Sequence, residues 1–128
     1  MKKTYLVKKM ASRIRFVRGK ALPANSIYCG RPSRWGNPYK MKNESERKKV
    51  IQLYEEWIFK RFRENPDYYL MPLLYKNLAC WCAPDKACHV DVLVKYVTRA
   101  ESYVIFIKAF EGPIIEKELV EYVLSLKS

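Results

Sequence analysis

Apolar residues recur along this chain in two rhythms. Arg13-Ile14-Arg15-Phe16-Val17-Arg18 alternates basic and apolar positions, which predicts a half-exposed strand. Ser26-Ile27-Tyr28-Cys29 predicts a second short strand, with residues 19–25, including Pro23, as the turn before it. Val50, Leu53, Tyr54, Trp57, Ile58 and Phe62 then fall three and four apart, as the buried face of a helix does. Asn43 or Ser45 can cap that helix, Glu44 and Glu46 suit the positive end of its dipole, and Asn65-Pro66 ends it. Residues 67–75 predict a short second helix interrupted near Pro72. Leu78-Ala79-Cys80-Trp81-Cys82 predicts a buried strand ended by Ala83-Pro84-Asp85, and Val90, Leu93, Val94 and Val97 a helix starting around residues 87–89. Residues 103–110 are rich in β-prone side chains and predict a further strand, broken at Gly112-Pro113. Ile115, Leu119, Tyr122, Val123 and Leu126 mark a final amphipathic helix. Strands alternating with helices predict an α/β fold, a small sheet with helices packed on it as a layered sandwich.

The 128 residues suit one domain, residues 1–128, and the mix of 49% hydrophobic and 30% charged residues is that of a folded chain. No apolar run approaches membrane-spanning length, so no membrane partner is expected. The basic start has too short an apolar stretch for a signal peptide, which points to the cytoplasm, or to a host's cytoplasm for a viral chain. A single Gln beside abundant Tyr, Ile, Val, Lys and Arg suggests a thermophile. The net charge of +12 changes the picture more, because residues 1–43 hold twelve basic residues and no acidic one. A basic region of this kind attracts phosphate-bearing partners, a nucleotide or a nucleic acid; the alternative is a solvated basic tail.

Three of the four cysteines and the only histidine lie within Cys80-Trp81-Cys82-Ala83-Pro84-Asp85-Lys86-Ala87-Cys88-His89. One reading is a zinc site of Cys80, Cys82, Cys88 and His89, a soft ligand set that suits tetrahedral zinc. The spacing argues against it. Strand alternation sends Cys80 and Cys82 to opposite faces, and adjacent helical residues such as Cys88 and His89 diverge by about 100°. A second reading makes Cys88 a nucleophilic thiolate, acidified by a helix N-terminus, with His89 as proton carrier and Asp91 orienting either. The same amides could instead cradle an anion without covalent chemistry. The bland reading is a core strand that uses cysteine. A bridge from Cys29 to one of the cluster also stays open.

Between the two clusters of strand and helix lies Gly30-Arg31-Pro32-Ser33-Arg34-Trp35-Gly36-Asn37-Pro38, too rich in Gly and Pro for helix or inner strand. Arg31 and Arg34 can grip phosphate, Trp35 can stack on a base, and Ser33 and Asn37 can hydrogen-bond. Gly30 and Gly36 let backbone approach a ligand. The alternative is that Trp35 and Pro38 plug the end of the core while the arginines are solvated.

Together, Ile27-Tyr28-Cys29-Gly30-Arg31-Pro32-Ser33-Arg34-Trp35-Gly36-Asn37-Pro38, Leu78-Ala79-Cys80-Trp81-Cys82-Ala83-Pro84 and Cys88-His89-Val90-Asp91-Val92-Leu93 resemble domain-of-unknown-function family 4326. The family occurs in phages, archaeal viruses, large viruses and scattered bacteria. The resemblance covers residues 12–98 and leaves residues 101–128 as a C-terminal strand-helix extension. It implies functional roles for Gly30, Arg31, Trp35, Gly36, Asn37 and Pro38, and for Cys80, Cys82, Pro84, Cys88, His89 and Asp91. The family commonly has a shorter spacer where this chain carries Asp85-Lys86-Ala87, which bears on any rigid shared metal geometry.

The expectation is thus a small viral or mobile-element protein that binds a nucleotide or nucleic acid through the Arg/Trp/Asn loop beside the Cys/His site. The alternatives are a zinc-binding adaptor without catalysis and a viral module that binds a host protein. Deaminase chemistry is disfavoured, because its zinc site needs a His-x-Glu ahead of the cysteines. Whether the protein is an enzyme, and whether it forms a homodimer, the sequence leaves open.

Overall fold

The computed structural model describes residues 9–109, 113 and 116–125. Strands β1 (Ser12–Arg15), β2 (Ser26–Tyr28) and β3 (Asn77–Cys80) form a parallel sheet in the order β1-β3-β2. The central place of β3 follows from its composition: Leu78, Ala79 and Cys80 are all buried, and a strand flanked on both sides has no face for polar residues. β1 and β2, which carry Arg and Ser, take the edges and are half-buried. Pairing continues one step beyond the strands, where Phe16 N–H donates to Cys80 O (2.7 Å) and Cys29 N–H to Ala79 O (2.8 Å). All three carboxyl ends therefore meet at one edge of the sheet.

A single 3-10 turn, Glu44–Glu46, leads into α1 (Arg47–Glu64), with the Asn43 side chain accepting from Ser45 N–H as the cap. Val50, Tyr54, Ile58 and Phe62 form the buried face of α1, while Leu53 and Trp57 are half-buried. Asn65 interrupts the chain before α2 (Pro66–Tyr69), and a 3-10 turn at Met71–Leu73 carries Pro72. α3 (His89–Ala109) lies against β1 and β3, and α1 and α4 (Glu116–Ser125) pack on it.

This is the α/β architecture that the alternation of elements predicts. One element is corrected. A strand is expected over residues 103–110, but residues 103–109 are instead the end of α3, whose buried positions Val90, Leu93, Val97, Ala100, Glu101 and Val104 keep helical spacing. In the extension after the family-like core, residues 101–109 and 116–125 are helical. Residues 1–8 and the expectations for Phe110, Gly112, Ile115 and Leu126 lie outside the described residues. Among the described residues, no helix is long and apolar enough to cross a membrane.

Candidate functional site

The loop after β2 is built around Arg31. Ser33 N–H donates to Gly30 O (2.8 Å) and Gly36 N–H to Ser33 O (3.0 Å), so the chain doubles back twice within seven residues. That fold-back explains both glycines. A Cβ on Gly36 would sit 2.9 Å from the Arg31 Cα, and one on Gly30 would overlap the Tyr28 hydroxyl. The Tyr28 hydroxyl crosses above Gly30 to donate to Arg31 O (2.8 Å). The Arg31-Pro32 peptide bond is cis. Among the described residues the Arg31 side chain is exposed and has no hydrogen-bond or ion-pair partner.

Other residues of this loop are turned inward. Trp35 is only 6% exposed, its Nε1–H donates to Tyr69 O (2.7 Å), and its carbonyl accepts from the Tyr54 hydroxyl (2.7 Å). Its ring is therefore part of the core, which matches the plug and removes it as a stacking surface. Asn37 is buried too, donating to Val50 O (3.1 Å) and accepting from Tyr39 N–H (2.9 Å). Arg34 lies over the Tyr68 ring (3.8 Å) and donates to Tyr68 O (3.1 Å). Ser33 Oγ is buried without a partner among the described residues.

The second segment gathers the thiols. β3 ends at Cys80, and the bend that follows frees Cys82 from strand alternation. Cys80, Cys82 and Cys88 consequently bring their sulfurs within 4.8 Å of one another, close enough to hold a metal ion. The longer spacer does not prevent this: Lys86 N–H closes a turn on Ala83 O (3.0 Å), and Arg47 of α1 donates to Ala87 O (2.8 Å). A tetrahedral ion with bonds of about 2.3 Å would separate its sulfurs by about 3.8 Å, so the Cys80–Cys88 pair would open slightly to accept one. All four cysteines are free, and Cys29 is buried with its thiol pushed up to about 12 by burial.

Cys88 is the N-cap of α3. Its backbone N–H donates to the Asp91 carboxylate (3.0 Å), half of a capping box, and Asp91 also pairs with Arg13 (3.1 Å). Arg13 reaches on to Ala83 O (2.7 Å), tying β1 to the cysteine turn and to the start of α3. Asp91 thus positions the Cys88 backbone. The acidity expected at Cys88 falls instead on Cys80. The Cys88 thiol donates to Cys80 Sγ (3.2 Å), which pushes the Cys80 thiol below its ordinary value, aided by the Cys82 amide and Arg13. Retaining that proton beside an anionic neighbour, Cys88 is pushed up.

His89 stands beside the Cys88 sulfur. Its Nε2 lies 2.7 Å from Cys29 O, a group that only accepts, so Nε2 carries the hydrogen. Burial, before the nearby Arg31 and Arg13 charges, holds its pKa below the usual value. The neutral ring then turns a bare Nδ1 to Cys88 Sγ at 3.5 Å, and the Cys88 proton sits between an acceptor nitrogen and an acceptor sulfur.

These parts meet in a cleft of about 270 Å³ lined by Tyr28, Gly30, Arg31, Asn37, Cys80, Trp81, Cys82 and His89. It lies at the carboxyl ends of the parallel strands, where open α/β sheets place their ligands. Ser33, Arg34 and Trp35 are outside this lining, and Cys88 and Asp91 support it from behind. Four contributors escaped the reading of the sequence. Arg13 looks like any basic position of an alternating strand, and Arg47 like a solvated helix residue. Tyr28 shows its role only beside Gly30, and Trp81 reads as one more apolar residue of the strand.

Fold and site together define a small parallel α/β protein with a thiol, imidazole and guanidinium cleft at its sheet edge. The chain belongs to the family described as Domain of unknown function (DUF4326), whose model matches residues 13–99 and so covers both motif segments and, but for Ser12, the three strands. No curated protein and no solved structure matches it.

Proposed function

We propose that the protein binds a nucleotide or nucleic acid in this cleft, with phosphate at Arg31 and the cysteine-histidine group as the floor. One observation carries the reading. A whole loop, two glycines included, is folded around an exposed arginine that has no partner among the described residues, at the edge where parallel sheets bind ligands. The basic N-terminal third supplies a field that draws phosphate toward it. Arg34, stacked on Tyr68, serves the fold. Calorimetry with a panel of nucleoside mono-, di- and triphosphates and short single-stranded oligonucleotides tests this. Arg31→Ala is expected to weaken binding by about 1.5–3 kcal/mol, the worth of a charged hydrogen bond, and Arg34→Ala to leave it nearly unchanged. Equal binding by Arg31→Ala and the parent would remove the cleft as the phosphate site.

The mutual approach of Cys80, Cys82 and Cys88 favours a second reading, a three-thiolate zinc centre whose fourth position faces the cleft. The Cys88 hydrogen bond to Cys80, aided by the Arg13 charge, favours the deprotonated Cys80 thiol that a metal needs. Elemental analysis of untagged protein decides it: about one zinc per chain, lost with Cys82→Ser, supports the centre, and metal-free protein with four titratable thiols sinks it.

A further inference from the structure

Of the three tryptophans, Trp81 is the one this fold leaves exposed. It stands at the bend after β3 with 49% of its surface exposed, on the rim of the cleft. An indole in that place would ordinarily be mobile, yet this one is fixed from two directions. Phe16, just beyond β1, stacks on it with centroids 4.4 Å apart and planes 22° apart. The indole Nε1–H donates to the Tyr28 hydroxyl (2.8 Å), the same hydroxyl that donates to Arg31 O. Tyr28 also meets both rings edge-on, at 5.6 Å from Phe16 and 6.2 Å from Trp81. Three aromatic rings from three strand ends thus hold one flat surface in the same cleft lining as Arg31.

We infer that Trp81, backed by Phe16, is the platform on which an unpaired nucleobase stacks while its phosphate is held at Arg31. The inference rests on the phosphate-binding reading above and adds the part of the ligand that reading leaves open. A fixed indole face accepts any base, because every base offers a π-face, and rigidity removes the ordering cost that a loose side chain would carry. The Tyr28 hydroxyl links the two halves: the atom that orients the indole also orients the Arg31 backbone. A cleft of about 270 Å³ suits one nucleotide unit and excludes a duplex, whose bases are already stacked on one another. The ligand is therefore a free nucleotide or one nucleotide of a single strand.

The test compares ATP, inorganic triphosphate and a short single-stranded oligodeoxynucleotide on the parent, Trp81→Ala, Trp81→Phe and Phe16→Ala. The parent is expected to bind ATP about ten-fold or more tighter than inorganic triphosphate, the scale of one base–aromatic stack. Trp81→Ala is expected to erase that difference by weakening ATP far more than inorganic triphosphate, and Trp81→Phe to restore part of it. Phe16→Ala, which leaves the indole unsupported, is expected to fall between. A Trp81→Ala loss on the oligonucleotide at least as large as on ATP would place the base in a strand; a loss confined to ATP would place it in a free nucleotide. Parent protein that binds ATP and triphosphate equally, or Trp81→Ala that keeps the preference for ATP, overturns the platform and leaves the phosphate site standing. Binding of none of the three probes overturns both.

Discussion

His89 is the only histidine of the chain, so its imidazole gives one unambiguous proton resonance. Burial pushes its pKa below 6.5, and the fold therefore prefers the neutral ring. The stability this contributes is complete above about pH 6.5 and is lost as pH falls through the lowered value. An NMR titration is expected to show a midpoint below 6.5, and His89→Gln to flatten the loss of urea resistance between about pH 7 and about pH 5. The thiols give a second expectation. In chelator-treated protein, one thiolate equivalent is expected to appear in ultraviolet absorbance with a midpoint below that of an ordinary thiol, from Cys80. Cys88→Ala removes the donor that holds Cys80 down, so this midpoint should move up; a midpoint that stays put would mean that Arg13 and the Cys82 amide suffice. The sequence placed these residues together but assigned their roles only in part. Acidity was expected at Cys88 from its place at a helix start. Which sulfur keeps the proton depends on a contact between β3 and the cap of α3, and no spacing rule reports that. Trp35 and Trp81 teach the same lesson, since both are tryptophans in motif-like segments and only the fold decides which ring is buried.

At the scale of elements, the helix of residues 47–64, the three strands and the cap near Cys88 were legible because each has a clear period or a clear stop. The end of α3 was misread for a physical reason. Residues 103–107 are rich in β-prone side chains, but propensity of that kind reports a fit to a half-buried surface more than a backbone preference. Here the surface is offered by α4, where Leu119 and Val123 are buried and Tyr122 lies 4.8 Å from Tyr103, ring to ring. The helical phase was present in the chain all along, running from Val90 to Val104, and it outlasts the local preference. The two phases can be separated by experiment. In the helix Val104 is buried while Ile105 is 51% exposed. Val104→Ser is expected to cost about 1–3 kcal/mol in urea denaturation, and Ile105→Ser to stay within about 0.5 kcal/mol. Equal costs at the two positions would argue against the observed phase.

Over the whole molecule, the charge asymmetry was legible and the cleft was not. The cleft needs residues from around 28–37, 80–82 and 89, brought together because β3 lies between β1 and β2, and strand order is not encoded in the period of any one strand. The basic excess, by contrast, is plain counting: every net positive charge is accounted for within residues 1–43. What the structure adds is a distinction among those charges. Arg13 is paired with Asp91 and Arg34 lies over Tyr68, whereas the Arg31 side chain has no hydrogen-bond or ion-pair partner among the described residues. Salt dependence measures that distinction directly, since each phosphate neutralised on a single strand adds about 0.7 to the slope of log K against log salt. Arg31→Ala is expected to reduce the slope for a single-stranded oligonucleotide by about 0.7, and Arg34→Ala to leave it as it was. Any slope that remains in Arg31→Ala belongs to the exposed basic residues outside the cleft, among them Arg15, Arg18, Lys40 and Lys42. A parent slope near zero would mean that no phosphate is bound, and a slope lost equally with Arg34→Ala would mean that the field, not the cleft, selects the ligand.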